Sequence, residues 1–271
     1  MPHLRSVSLR RPGPESPPAF PFSVPVVREL RTLDIGPAVT FLVGENGSGK
    51  STLLEGIALA AGLPTVGAQS VERDETLTAQ RSLAAALHLV WNRRVRRGFF
   101  LRAEDFFGFT KALSRLRAEM MDGLARVDAE FEGRSDYAKG LAKGPLAASL
   151  ADMERRYGVD LDASSHGQSF LKLFQSRFVP GGLYLLDEPE APLSPQSQLA
   201  LMALIGDMLA RDAQFIIATH SPILLGFPGA TIYSCDRVPI ERVEFEELDH
   251  VVITRDFLNG RDRYTRRLLE G

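Results

Sequence analysis

Residues Gly44-Glu45-Asn46-Gly47-Ser48-Gly49-Lys50-Ser51 form a complete G-x-x-x-x-G-K-[ST] phosphate loop, directly after the β-rich run Val39-Thr40-Phe41-Leu42-Val43. Its glycines let the backbone curl so that successive N–H groups converge on phosphate oxygens, and the helix that follows adds its positive end. The geometry demands a buried strand before the loop and a helix after it, and Ser51 to Ala61 reads as that helix. Lys50 is expected to reach the β- and γ-phosphates of ATP, the Ser51 hydroxyl to ligate Mg²⁺, and Thr52 to continue the lining. A glycine turn before an ordinary helix is the plain alternative, and it leaves a later acidic strand unexplained.

That strand is Leu183-Tyr184-Leu185-Leu186-Asp187-Glu188. Asp187 follows four apolar residues, which places it at the carboxyl edge of a central strand, where open α/β sheets bind ligands. There it is expected to hold Mg²⁺ directly or through water, with Glu188 orienting and deprotonating the attacking water. Glu190 reads either as support for that site or as a solvated loop charge. His220, in Ile216-Ile217-Ala218-Thr219-His220-Ser221-Pro222, follows another apolar run. The gap from Asp187 leaves room for one helix and a return strand, so the imidazole is expected at the same crevice, near the γ-phosphate or the attacking water. The segment Ser164-Ser165-His166-Gly167-Gln168 opens a helix. Its Ser165 hydroxyl and Gly167 amide make an anion site, with Gln168 beside them. One chain cannot easily wrap both loops around one phosphate, so this segment is expected to serve the ATP of a second copy.

With 271 residues, 44% of them hydrophobic, the chain can bury one large core, or a core with a satellite. Residues 4–10 and 26–35 read as strands, separated by a proline-rich stretch from Pro12 to Pro25. Residues 79–97 read as helix running into Gly98, and Phe99-Phe100-Leu101 as a second buried strand. Residues 106–160 are helix formers with breaks expected near Gly133, Gly140, Gly144-Pro145 and Gly158. Helix is expected from Gln168 and over 195–211, strands over 183–186, 214–218 and 231–234, a strand pair near 242–254, and a surface helix over 264–270. The fold class is therefore α/β, a largely parallel central sheet covered on both faces, with an N-terminal antiparallel β segment and an inserted helical subdomain. Residues 1–104 and 165–271 are assigned to the core and 105–164 to the insertion.

A net charge of −2 does not mark a nucleic-acid binder. The cluster Arg93, Arg94, Arg96 and Arg97 either meets nucleic-acid phosphates or complements the dipole of a helix ending at Gly98. Trp91 beside it reads as packing. Cys235 is the only cysteine, which excludes an internal disulfide and a C-x-x-C zinc site and fits a reducing compartment. No apolar stretch approaches the roughly 20 residues that span a bilayer, and Met1-Pro2-His3-Leu4-Arg5 has no signal-peptide core. A cytoplasmic location is expected.

In this order and spacing, the motifs resemble those of the ATP-binding cassette (ABC) ATPases, in the soluble, non-transporter branch related to chromosome-maintenance and repair ATPase heads. The resemblance runs over roughly residues 26–255. It implies the P-loop NTPase fold, ATP hydrolysis, and a head-to-tail homodimer in which each ATP lies between one copy's phosphate loop and the other's signature segment. By position, Lys50, Ser51, Asp187, Glu188 and His220 match the family's catalytic set, and Ser165, Gly167 and Gln168 its signature. Ala191-Pro192-Leu193-Ser194 occupies the place of the loop that touches the opposite subunit. Two positions depart from the pattern. His166 stands where the signature has its first glycine, and no glutamine follows the second strand in Phe99-Phe100-Leu101-Arg102-Ala103-Glu104-Asp105. Glu104 reads as a substitute ligand or as a solvated acid. Phe20 and Phe22 are the candidates for stacking on adenine, against a reading as buried core. An insertion of about 60 residues without sustained heptads speaks against long coiled-coil arms. The expected function is ATP-driven work in a DNA-related repair or defence process, with DNA or an unknown protein as partner. The alternative is the energy subunit of a transporter whose membrane spans are encoded separately; the absent glutamine and the His-Gly signature weigh against it.

Overall fold

Val39–Val43, Leu183–Asp187 and Gln214–Ala218 are buried at every position, the pattern of strands covered on both faces. In the computed structural model, which describes residues 2–10, 19–36, 38–66, 78–157 and 166–269, these three runs lie side by side. In chain order the elements are β1 (Leu4–Leu9), α1 (Pro25–Arg28), β2 (Thr32–Asp34), β3 (Val39–Val43), α2 (Lys50–Ala61), α3 (Thr78–Ala86), β4 (Leu87–Trp91) and β5 (Gly98–Leu101). Then come α4 (Ala103–Glu130), α5 (Asp136–Tyr157), α6 (His166–Arg177), β6 (Leu183–Asp187), α7 (Pro195–Leu209), β7 (Gln214–Ala218) and α8 (Pro222–Leu225). The chain continues through β8 (Thr231–Ser234), β9 (Glu241–Val243), α9 (Asp249–Asn259) and α10 (Arg261–Leu269).

The larger sheet has the order β5-β6-β7-β3-β8-β9 and is parallel except for β9; the smaller, β2-β1-β4, is antiparallel. Side chains of the central strands alternate between two cores, as the two-residue repeat of a strand requires. Phe41, Tyr184, Leu186, Phe215 and Ile217 face α6, α7, α8 and α9. Leu42, Leu185 and Ile216 face α2 and the smaller sheet. An aromatic chain fastens α6 to the first core, with Phe178 4.6 Å from Tyr184 and Phe174 5.0 Å from Phe178 between ring centroids. Cys235 is buried in the second core, and burial pushes its thiol up to about 12.

Several expected elements differ. Within 26–35 only β2 is strand, because Pro25 opens a short helix that buries Val26 and Val27. The helix expected over 79–97 stops at Ala86. Leu87–Trp91 pairs instead with β1, where its apolar and aromatic side chains find a pleated partner. The break near Gly133 is present, whereas Gly140, Gly144 and Pro145 lie inside α5. The helix runs on through them, antiparallel to α4, with Glu154 3.1 Å from Arg117, and Lys139 and Lys143 2.6 and 2.5 Å from Asp128. Of the strand pair near 242–254 only β9 exists; Asp249 opens a helix that buries Val251. Most of the proline-rich stretch lies outside the described residues. Among the described residues, no helix is long and apolar enough to cross a membrane.

A buried side chain ties the two sheets together, beside an exposed link in which the Tyr233 hydroxyl of β8 donates to Asp34 O of β2 at 2.8 Å. Gln214, fully buried at the start of β7, accepts from the amides of His3 and Leu4 and donates to the carbonyls of Leu4 and Ile35, each at 2.8 Å. Replacing it with an apolar residue leaves those groups unpaired where water does not reach. Gln214→Leu is therefore expected to lower unfolding stability by about 3 kcal/mol or more, read from urea denaturation midpoints. A loss under about 0.5 kcal/mol would mean that the sheets are held elsewhere.

Candidate functional site

The parallel register delivers four strand ends to one rim. Leu42 of β3 and Asp187 of β6 both pair with Ala218 of β7, and Val43 pairs with Ser234 of β8. The phosphate loop leaves this rim and re-enters the fold as α2. At its end Gly49 has φ +96°, and a Cβ there would lie 2.5 Å from the Val24 side chain and 2.6 Å from that of Val26, so glycine alone fits. Lys50, 4% exposed, donates from Nζ to the carbonyls of Gly44 at 2.6 Å and Glu45 at 3.0 Å. Beside the loop lies a cleft of about 330 Å³ lined by Phe20, Asn46, Gly47, Lys50, Ser51 and Glu188, with Thr52 also at its wall. Phe20 is 53% exposed there, which overturns its reading as core; Phe22 packs against the second core.

Asp187 is buried at the end of β6. Burial pushes its carboxyl up to about 7, helped by the charges of Glu188 and Glu55 and opposed by a hydrogen bond from Ser51 and by Lys50. Its Oδ1 has no hydrogen-bond partner among the described residues. An orphaned carboxylate oxygen beside a serine hydroxyl fits a hard cation such as Mg²⁺, which takes few protein ligands and completes its shell with phosphate and water. Consistent with so sparse a protein shell, no group of three or more His, Cys, Asp or Glu side chains among the described residues could hold a metal alone.

Glu188 has φ +47°, a left-handed conformation that few non-glycine residues adopt, fixed by its amide donating to Ala218 O at 2.9 Å. Its Oε1 lies 3.4 Å from Nε2 of His220. Burial, then the Lys50 charge, holds His220 below the usual histidine range. Glu190 accepts from the His220 amide at 2.7 Å, so it braces the site and is not a solvated loop charge. Ser221 Oγ donates to Gln198 at 2.6 Å, and Gln198 donates to Leu193 O at 3.2 Å.

Ser165 lies outside the described residues. Gly167 and Gln168 fall in the first turn of α6, and the side chains of Gln168 and Glu104 lie outside the described part. The arginine cluster is not on a helix end: residues 92–97 connect β4 to β5, and the helix-dipole reading is withdrawn. Arg93 pairs with Asp212 at 2.5 Å, whereas Arg94, Arg96 and Arg97 are exposed. Three contributors were not foreseen. Asp236, just past β8, accepts from the Glu45 amide at 2.8 Å and so ties down the phosphate loop. Its signal is weaker than that of Asp187, because the run Thr231-Ile232-Tyr233-Ser234-Cys235 before it carries hydroxyls where Asp187 follows four apolar residues. Arg102, where a glutamine was sought, is buried with Nε 3.7 Å from Glu55 of α2. His250 sits with its Nε2 3.1 Å from Nδ1 of His220.

The family model described as "AAA domain, putative AbiEii toxin, Type IV TA system" matches residues 39–144 and 145–226, most of this chain. The chain belongs to this family. The cytochrome c biogenesis ATP-binding export protein CcmA of Rhodospirillum rubrum is 30% identical over 202 residues, 72% of this chain and 72% of that protein. CcmA of Rhodopseudomonas palustris is 26% identical over 182 residues, 67% of this chain and 78% of that one. This AAA-domain protein is thus an ABC-type ATP hydrolase, as its phosphate loop and acidic strand imply. Among solved structures, it is similar to an ATP-binding cassette of an ABC transporter in its ADP conformation, at 14% identity, TM-score 0.44 and 96% coverage of both chains. It is also similar to the SMC head domain from Thermotoga maritima, at 16% identity and TM-score 0.39, covering 90% of this chain and 100% of that one.

The raised Asp187 pKa has a consequence for stability. Between pH 4 and 7 the folded AAA-domain protein holds a proton on Asp187 that the unfolded chain releases, so this group's contribution falls as pH rises and is a fixed penalty above about 7. Asp187→Asn is expected to raise the Tm of the nucleotide-free protein at pH 8, by up to ~4 kcal/mol in stability, and to do so less at pH 5. Thermal melts at both pH values check this, and an equal effect at both refutes it.

Proposed function

We propose that the protein binds Mg-ATP in the cleft beside Phe20 and hydrolyses it between two copies arranged head to tail. The observation that carries this reading is the convergence at one rim of Lys50, Asp187, Glu188 and His220, with Asp187 Oδ1 and His220 Nε2 buried and without hydrogen-bond partners among the described residues. Natural interiors rarely leave such atoms unpaired unless something else meets them. The backbone of Gly44, Glu45, Asn46, Gly47, Ser48 and Gly49 would cradle the phosphates, with Lys50 on the β- and γ-oxygens and Thr52 beside them. Ser51 and Asp187 would hold Mg²⁺, which offsets the phosphate charge when bound. Glu188 would take the proton of the attacking water, and His220 would hydrogen-bond the γ-phosphate or that water. Phe20 is free to stack on the base. Ser165, Gly167 and Gln168 of the second copy would close the site, carried by an inserted helical subdomain over 105–164, in a cytoplasmic dimer.

Lys50→Ala is expected to abolish ATP binding. Glu188→Gln is expected to keep ATP, to slow turnover at least ~100-fold, and to accumulate dimers by light scattering. Parent-like turnover in Glu188→Gln removes Glu188 as the base; a slow but monomeric variant at saturating ATP removes the shared site.

For the process served, we favour action on DNA. Arg94, Arg96 and Arg97 stand exposed on the β4–β5 connection with no ion pair among the described residues, and clustered unpaired arginines suit a phosphate backbone. The export-protein names of the CcmA relatives favour the second reading, an energy subunit for separately encoded membrane spans. ATPase rates with and without double- and single-stranded DNA at two salt concentrations separate the two. Stimulation that fades with salt supports DNA, and indifference to DNA transfers the case to the transporter reading.

A further inference from the structure

His250 has no place in the site as read from the motifs, yet its ring meets that of His220 directly. Nε2 of His250 lies 3.1 Å from Nδ1 of His220, with ring centroids 5.2 Å apart and planes inclined at 55°. One proton lies between two neutral imidazoles in such a contact, and its owner decides what the far nitrogen of His220 presents. If His220 donated from Nδ1, its Nε2 would turn a bare lone pair toward the Glu188 carboxylate 3.4 Å away, buried and with no other partner among the described residues. If His250 donates, Nε2 of His220 carries the hydrogen and sets that positive end beside the negative charge. Electrostatics selects the second arrangement.

We propose that His250 is a positioning residue for ATP hydrolysis: its Nε2–H donates to Nδ1 of His220 and holds the His220 proton on Nε2, on the side of Glu188 and the reacting phosphate. The inference rests on the reading that His220 acts in turnover. The fold supplies the means to hold His250 in place. It is the second residue of α9, flanked by Leu248 and Val251, which are buried in the same core as Leu186 and Ile217 of the strands that carry Glu188 and His220. The amides of Val251 and Val252 both donate to Leu248 O, at 2.9 and 2.8 Å, which pins the first turn of the helix. Two histidines alone do not make a metal centre, and no third ligand of that kind stands with them among the described residues.

The test compares His250→Leu, which removes the donor, with His250→Gln, whose amide can still donate. His250→Leu is expected to lower kcat ~10- to 100-fold with KM for ATP changed less than about 3-fold, and His250→Gln to recover most of the loss. In ¹⁵N NMR of ring-labelled protein, His220 is expected as the Nε2–H tautomer in the parent and in His250→Gln, and as a tautomer mixture in His250→Leu. Equal thermal melts of the two variants show that folding is not the cause. The proposal is overturned if His250→Leu turns over like the parent, or if the Gln variant is as impaired as the Leu variant. His220→Ala separates the two ideas: parent-like turnover there sinks the role of His220 itself. A slow His220→Ala beside a normal His250→Leu sinks only the positioning. A double variant no slower than His220→Ala alone is the expected mark of one residue acting through the other.

Discussion

Parallel strands in register set everything at this site. Strands that run the same way bring their carboxyl ends to one edge, and helices on both faces leave that edge as the open crevice. Here Leu42, Asp187 and Ala218 lie on one line across β3, β6 and β7, and Glu188, His220 and Asp236 each come within two residues of a strand end. Gly44 turns away from β3, Glu188 leaves β6, His220 follows β7, and Asp236 follows β8. Side chains that are far apart in sequence meet because the hydrogen-bond ladder allows no other offset; a two-residue slip would carry Asp187 about 6 to 7 Å out of line.

The two ends of β7 are treated in opposite ways. At its start, Gln214 satisfies four backbone groups from within the core, and the small sheet is fixed to the large one. At its other end, the rim leaves Asp187 Oδ1, Glu190 Oε2 and His220 Nε2 unpaired among the described residues, and Glu188 is held at φ +47°. Buried polar atoms without partners and a left-handed glutamate both reduce stability, each by on the order of 1–3 kcal/mol. Three such atoms stand together at this rim, ready for a ligand, whereas the Gln214 side chain at the other end has its hydrogen bonds made within the fold.

How much of this was legible depended on how local each signal is. The phosphate loop with its flanking strand and helix is a single continuous pattern, so Gly44 to Ser51 could be placed outright. Asp187 and His220 each end a continuously apolar run, and that pattern marks a central strand with its open end. Leu87–Trp91 misled because it directly follows an alanine-rich helix, and the β1 partner that makes it a strand lies far away in sequence. Gly144-Pro145 misled in the opposite direction, since the ion pairs of Asp128 with Lys139 and Lys143 that accompany α5 cannot be read from propensity. His250 was hidden by the strand pair expected over 242–254. A strand there would have pointed successive side chains to opposite faces, and no reading of the segment as strand brings it to His220.

The contacts around the rim also tie together two loops that sequence treats separately. Glu190 accepts from the His220 amide, and its own carbonyl accepts from Leu193 N at 2.8 Å. Leu193 O accepts from Gln198, and Gln198 accepts from Ser221, the neighbour of His220. The circuit closes on itself through five residues. Leu193 belongs to the Ala191–Ser194 stretch, whose Ala191 and Ser194 are exposed while Leu193 is anchored in the core. In the proposed dimer that stretch meets the second copy. A partner pressing on it would act on a loop whose hydrogen bonds end at the backbone of His220, so the geometry offers a physical route by which completing the shared site bears on the groups placed to hydrolyse ATP. Discrete hydrogen-bonded loops of this kind, and not a general softness of the fold, are where coupling between a subunit contact and a reacting centre can reside.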